Sequence, residues 1–290
     1  MPLTIRSPGR LEETLRMVRF SHTLFALPFA LTGMILAARG LPPGRVFLWI
    51  VAAMVGARTA AMAFNRLVDR RFDTANPRTA ARTLPAGRLT PAFAWGVFAS
   101  ASLLFLIAAW QLNGLALALA PLALVILCGY SFTKRFTPWT HLFLGLSLAG
   151  APLGAWIAVR AGVSTEAFLL SGAVLFWTAG FDVIYALQDA DSDRSLGLHS
   201  LPAWLGPAAA LRWARAFHFL AGVLLFFTGH AARLGLFYYT GMVLSLILLT
   251  AEHLLVGPRD LSRLPIAFFR LNVAVGLSLL LCTSLDLLLA

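Results

Sequence analysis

Acid is scarce in this chain. Only 12 of its 290 residues are Asp or Glu against 23 Lys and Arg, and charged residues make up 12% of the total, where a soluble domain carries about 25%. So little charge excludes a large solvated surface. With 59% hydrophobic residues and a mean hydropathy of +0.81, the composition is that of a polytopic membrane protein. Cysteine is nearly absent too: Cys128 and Cys282 are isolated in apolar runs, which excludes a disulfide framework and a thiolate metal centre. Lysine occurs once, as Lys134. No soluble domain, linker or low-complexity tract is visible, so residues 1–290 read as one integral-membrane domain.

What is abundant is long apolar sequence. A spanning helix needs about 20 apolar residues, and nine such runs lie near residues 22 to 38, 46 to 64, 92 to 110, 113 to 130, 140 to 159, 167 to 187, 209 to 227, 234 to 254 and 265 to 288. The expected fold is all-α, nine transmembrane helices. Residues 8 to 20, PGRLEETLRMVRF, alternate apolar and charged positions at helical spacing, as an interfacial helix does. The first apolar run has the look of a signal-peptide core, but the basic segment ahead of it favours a spanning helix.

A net charge of +11 invites a nucleic-acid reading, yet in a polytopic chain the distribution of charge matters more. The N-terminal segment and the loops after the second, fourth, sixth and eighth runs hold seventeen basic residues, and the opposite loops only Arg39, Arg45, Arg160 and Arg233. The N-terminus is therefore expected in the cytoplasm, the bilayer being of the bacterial inner-membrane type. No nucleic acid is expected as a partner.

Six of the eight aspartates fall into two clusters, each closing an even-numbered run: Asp69 and Asp73 in NRLVDRRFD, then Asp182, Asp189, Asp191 and Asp193 in DVIYALQDADSD. This topology puts both clusters on one face. Carboxylates are costly at a membrane boundary and mark functional sites there. In the first cluster Asn65, Asp69 and Asp73 are four apart and share one helical face, with Arg58 about two turns deeper on it. Asn65 adds a neutral oxygen ligand for a hard cation. The competing explanation is that Asp69 and Asp73 pair with Arg66, Arg70 or Arg71 at the membrane edge. In the second cluster Asp182, Tyr185, Asp189 and Asp193 share a face while Asp191 points elsewhere; Tyr185 also suits an interfacial aromatic belt.

Around these lie basic and polar candidates. Arg78 and Arg82, in NPRTAARTLPAG, are placed to face phosphate, with a solvated positive-inside loop as the alternative; Arg194, His199 and Ser200 are candidate oxyanion binders, with plain solvation as the alternative for His199. Lys134 and Arg135 close the fourth run in YSFTKR, where a snorkelling anchor is the alternative. Gly150 and Gly154 flank Pro152 as a small-xxx-small pair, expected to serve packing or a kink. His141, His218, His230 and His253 are scattered without metal spacing and are assigned no role. Two hard-cation carboxylate clusters, basic surroundings and an apolar interior suit an amphiphilic diphosphate, with magnesium bridging carboxylate and phosphate oxygens.

NRLVDRRFD followed by NPRTAARTLP, together with YALQDADSD, resembles the paired N-x-x-x-D-x-x-x-D and Y-x-x-x-D-x-x-x-D signatures of the UbiA superfamily of intramembrane aromatic prenyltransferases. The resemblance covers nearly the whole chain. It implies nine helices around a central cavity, magnesium-dependent ionisation of a polyprenyl diphosphate, and alkylation of an aromatic acid acceptor. It also implies that Asn65, Asp69, Asp73, Asp189 and Asp193 hold magnesium and diphosphate. Arg58, Lys134 and Arg135 would then stabilise diphosphate or the acceptor's carboxylate, and Tyr185 and Asp182 would line the reacting centre. His22-Thr23 and the GLHS segment are similar to a branch that serves menaquinone synthesis by the futalosine route. A CDP-alcohol phosphotransferase requires an Asp-x-x-Asp-Gly element that is missing here, and a transporter would set its acidic residues at the bilayer midplane rather than at one edge.

Overall fold

A computed structural model describes residues 9–19 and 23–289. His22 lies outside the described residues. The described chain is helical: α1 (Arg10–Met17), α2 (Thr23–Ala38), α3 (Gly44–Val68), α4 (Arg70–Ala75), α5 (Pro91–Leu112), α6 (Gly114–Thr133), α7 (Thr140–Arg160), α8 (Thr165–Ala186), α9 (Ala190–Ser195), α10 (Leu201–Leu205), α11 (Pro207–Ala231), α12 (Leu236–Leu255) and α13 (Asn272–Leu289). A 3₁₀ turn, Leu187–Asp189, joins α8 to α9, and a π-helical stretch, Ile266–Leu271, leads into α13.

Eight helical segments are long and apolar enough to cross a bilayer. The first of the nine apolar runs is described from Thr23 as α2, 16 residues long, about 24 Å at 1.5 Å per residue. It packs against α7 and α13, where Gly33 sits so close to Pro152 that an added Cβ would lie 2.6 Å from its carbonyl oxygen.

Side-chain caps set several boundaries. The turn between α5 and α6 is fixed by Asn113, whose Oδ1 accepts from the Ala116 amide at 2.9 Å while its Nδ2 donates to the Ile157 and Ala158 carbonyls at the end of α7. Thr90, Ser164 and Ser200 cap α5, α8 and α10 in the same way. On α1, Glu13 is buried and accepts from Thr83 Oγ1 at 3.2 Å and Arg88 Nε at 3.0 Å, while Leu11 and Leu15 are exposed. That contact ties α1 to the 76–90 loop behind the first acidic cluster.

The core is asymmetric. α8 is buried on nearly all sides against α7 and α11, within an aromatic cluster that includes Phe25, Phe29, Trp177 and Phe181. In contrast α6 has only Ala120, Ser131 and Thr133 buried, and on its side of the bundle a cavity of about 780 Å³ opens among α3, α5, α6, α7 and α8.

Candidate active site

Both acidic clusters line this one cavity, at the end where α3, α6 and α8 terminate. In the first, the chain leaves the helix at Asp69 (φ −89°, ψ 1°) and restarts as α4, so the acids do not ride a single continuous helix. Asn65 is buried, and its Nδ2 donates to Asp69 Oδ2 at 2.8 Å and to Ser131 Oγ at 3.3 Å. Asp73 is clamped from both sides, by Arg66 Nη1 at 3.3 Å and Arg82 Nη1 at 2.6 Å. Asp69 is held more loosely, with Arg135 Nη2 at 3.6 Å. Burial, and then the neighbouring Asp73 carboxylate, push the Asp69 carboxyl up to about 6, because the nearby basic groups do not fully offset the cost of desolvating it.

The second cluster also sits on a break, where the 3₁₀ turn interrupts the path from α8 to α9. Asp189 receives a two-pronged contact from Arg78, Nε at 2.7 Å and Nη2 at 2.6 Å, and Asn76 Nδ2 adds a third donor at 3.3 Å. Lys134 Nζ lies 3.2 Å from Asp193 Oδ2, which also accepts from Ser200 Oγ at 2.9 Å. Tyr185 Oη accepts from Arg78 Nη1 at 3.1 Å and Arg19 Nη1 at 3.3 Å, so it belongs to the cavity rather than to an aromatic belt. Asp191 is exposed and pairs with Arg194 outside the cavity.

Arg58 lines the cavity two turns below Asn65, its Nε buried without a partner, and it forms no ion pair among the described residues. The Tyr130 phenol stands within electrostatic reach of Asp69, Asp182, Arg58 and Arg66. In all, seven cationic side chains and five carboxylates line the space, an excess of two positive charges that favours an anionic occupant. Below this charged end the wall is apolar, and it reaches Leu122, Leu146 and Phe168, which are exposed on the outer surface of the bundle.

Two expectations are corrected. His199 is exposed and outside the cavity; its contribution is the backbone amide, which donates to the Lys134 carbonyl at 2.6 Å. The loop is tethered through its main chain, which leaves the imidazole in solvent. Gly150 and Gly154 are not packing residues, since a Cβ added at either meets nothing within 4 Å and both line the cavity. The glycine of α7 that makes a close helix contact is Gly145, against the Leu175 carbonyl of α8. Arg66 pairs with Asp73 as the competing explanation had it, but buried rather than at an exposed edge; sequence reading missed His141 and Arg19. His141 is completely buried, 2.7 Å from Asp182; its position at the start of an apolar run, on the side where the Asp182 run ends, was the available signal.

Among the described residues no three His, Cys, Asp or Glu side chains converge on a single point at metal-binding distance. The donors form two separated oxygen-rich walls, with Asn65, Asp69 and Asp73 on one side and Asp189 and Asp193 on the other. Such walls suit a hard cation that takes only one or two protein carboxylates and completes its shell with water and phosphate oxygens.

The chain is similar to known proteins in sequence and fold. Residues 26–274 match the UbiA prenyltransferase family. The chain is 33% identical over 264 residues to the 4-hydroxybenzoate octaprenyltransferase of Ralstonia nicotianae, covering 87% of this chain and 88% of that protein. It is 32% identical over 283 residues to the enzyme of the same name from Marinobacter nauticus, with 96% of each chain covered. The apo structure of a UbiA homolog from Aeropyrum pernix K1 superposes with a TM-score of 0.79 at 33% identity, covering 92% of this chain and 97% of that one. A UbiA homolog from Archaeoglobus fulgidus bound to DMAPP and Mg2+ has the same fold, at a TM-score of 0.65 and 18% identity over 92% of this chain and 99% of that one. An apolar cavity headed by two facing carboxylate walls, on a chain that matches over most of its length, makes this integral membrane protein a prenyltransferase of the UbiA family.

Proposed function

We propose that the enzyme transfers a polyprenyl group from polyprenyl diphosphate to an aromatic acid of the 4-hydroxybenzoate type, releasing diphosphate, as a step in ubiquinone or menaquinone biosynthesis. The observation that carries this reading is the division of one cavity into a charged end, an unpaired Arg58 beneath it and an apolar remainder. Arg78, Arg82, Lys134 and Arg135 suit the diphosphate, and Arg58 suits the carboxylate of the acceptor, since a guanidinium binds either group through paired hydrogen bonds. The apolar wall suits the prenyl tail.

Magnesium fits the donors present. Asn65, Asp69, Asp73, Asp189 and Asp193 would hold it, and Asp69 is a carboxylate short of positive charge. When bound, the metal supplies Lewis-acid stabilisation of the departing diphosphate. The protein's part is to hold the diphosphate by its basic side chains, to keep water from the allylic carbon and to present the acceptor ring. The carbon–oxygen bond to diphosphate breaks with its electron pair on oxygen, a ring carbon forms the new carbon–carbon bond, and the ring loses its proton to restore aromaticity.

The names of the relatives favour 4-hydroxybenzoate as acceptor, whereas the menaquinone route rests on His22-Thr23 and the GLHS segment alone. The charge asymmetry of the loops supports a cytoplasmic N-terminus and a cavity mouth on that face of a bacterial-type inner membrane. The test is product mass spectrometry with purified enzyme, magnesium, prenyl diphosphates of several lengths and a panel of aromatic acids. The expected result is a prenylated acid and diphosphate in equal amounts. Absence of product across the whole panel would sink the assignment.

A further inference from the structure

His141 stands behind the cavity lining and is completely buried, with both ring nitrogens engaged. The Leu201 amide donates to its Nε2 at 3.3 Å, which therefore carries no proton. The ring proton sits on Nδ1 and is donated to Asp182 Oδ2, 2.7 Å away. An imidazole fixed in this way is a connector between two partners. On one side it reaches α10, whose capping residue Ser200 donates to Asp193. On the other it holds the deepest carboxylate of the cavity.

Asp182 differs from the other four cavity aspartates. Asp69, Asp73, Asp189 and Asp193 each face an Arg or Lys within 4.0 Å, and Asp182 faces His141 alone among the described residues. With Oδ2 taken by the imidazole, Oδ1 is the acceptor left for an occupant of the cavity. A carboxylate without a cationic partner repels diphosphate and accepts from a neutral donor. Resting on the prenyl-transfer reading above, we propose that Asp182 accepts a hydrogen bond from the ring hydroxyl of the aromatic acceptor, and that His141 is the positioning residue that aims it. The acceptor then lies between two opposite recognitions, its carboxylate on Arg58 and its hydroxyl on Asp182. Hydrogen bonding of the hydroxyl to an anion also enriches the ring in electrons, as attack on an allylic carbon requires.

Two variants separate the two contacts. In His141→Gln the side-chain amide reaches the Nε2 position and keeps the Leu201 contact but loses Asp182. In His141→Asn it reaches the Nδ1 position and keeps the donor to Asp182. Acceptor kcat/KM is measured with 4-hydroxybenzoate at saturating prenyl diphosphate, alongside the KM for the prenyl diphosphate and the thermal midpoint in detergent. His141→Gln is expected to lower acceptor kcat/KM by about 10- to 100-fold, the range of one hydrogen bond to a charged group, with the prenyl diphosphate KM within about twofold. His141→Asn is expected to restore acceptor kcat/KM to about a third of wild type or better. An unaffected Gln variant, or equal losses in both variants with matching drops in thermal midpoint, overturns the proposal. Should the Gln variant not fold, a loss beyond about tenfold in the Asn variant overturns it. If wild-type enzyme prenylates no aromatic acid at all, the prenyl-transfer reading itself falls and takes this inference with it.

Discussion

The two acidic clusters end their helices alike, each on a break, but they are neutralised from different places. Asp73 finds Arg66 and Arg82 within nine residues of itself in sequence. Asp189 and Asp193 depend on Arg78 and Lys134, which come from the 76–90 loop and the end of α6. Asp73 is thus neutralised locally, whereas Asp69, through Arg135, and the whole second cluster are completed only when distant helix ends dock. Unscreened carboxylates repel one another, so the long-range arginines and lysine hold the two clusters at the separation that makes one site.

The largest break in this comparison comes from the two acids of the first cluster. Asp69→Asn is expected to lower diphosphate release with magnesium by about a thousandfold, the scale of lost electrostatic stabilisation of developing charge, with little loss of thermal stability, since burial already disfavours this carboxylate's charge. Asp73→Asn is expected to cost about 3–5 kcal/mol of stability, because it strands the buried Arg66 and leaves Arg82 unpaired. Unfolding in detergent distinguishes the two, and equal thermal midpoints would contradict the assignment. Next in size, Arg58→Ala is expected to raise the KM for aromatic acids by about 10- to 100-fold while sparing the prenyl diphosphate; a larger effect on the diphosphate would move Arg58 to the donor side. Arg78→Lys is expected to cost about tenfold in kcat/KM for prenyl diphosphate, as an ammonium cannot reproduce the two-pronged contact with Asp189. The smallest contrast lies on α7. Gly145→Ala should destabilise by about 1–3 kcal/mol, through overlap with the Leu175 carbonyl, while Gly150→Ala should stay within about 0.5 kcal/mol in thermal or denaturant unfolding.

Periodicity and run length revealed most of the helices because lipid imposes one rule on every span. The first run is described only from Thr23 on, as the 16-residue α2 packed against α7 and α13. Four-residue spacing grouped Asn65 with Asp69 and Asp73, and separated Asp191, because the local helical face survives the break at Asp69. Arg66 was read as a mere edge partner, and its burial against Asp73 depends on that break. His141 carried no spacing signal, as its partners lie 41 and 60 residues away. Gly150 and Gly154 illustrate the converse: small residues announce close packing and open space with the same letter, and only the neighbouring helices decide which.

The apolar wall reaching Leu122, Leu146 and Phe168 has a consequence for traffic. Moving one five-carbon prenyl unit from hydrocarbon into water costs about 4 kcal/mol, at about 0.8 kcal/mol per methylene, and a polyprenyl tail multiplies that penalty. A cavity continuous with the bilayer surface lets the tail stay in its own phase while the diphosphate exits through the charged mouth. Under the proposed reaction the two products leave by separate doors, and neither has to cross the other's solvent.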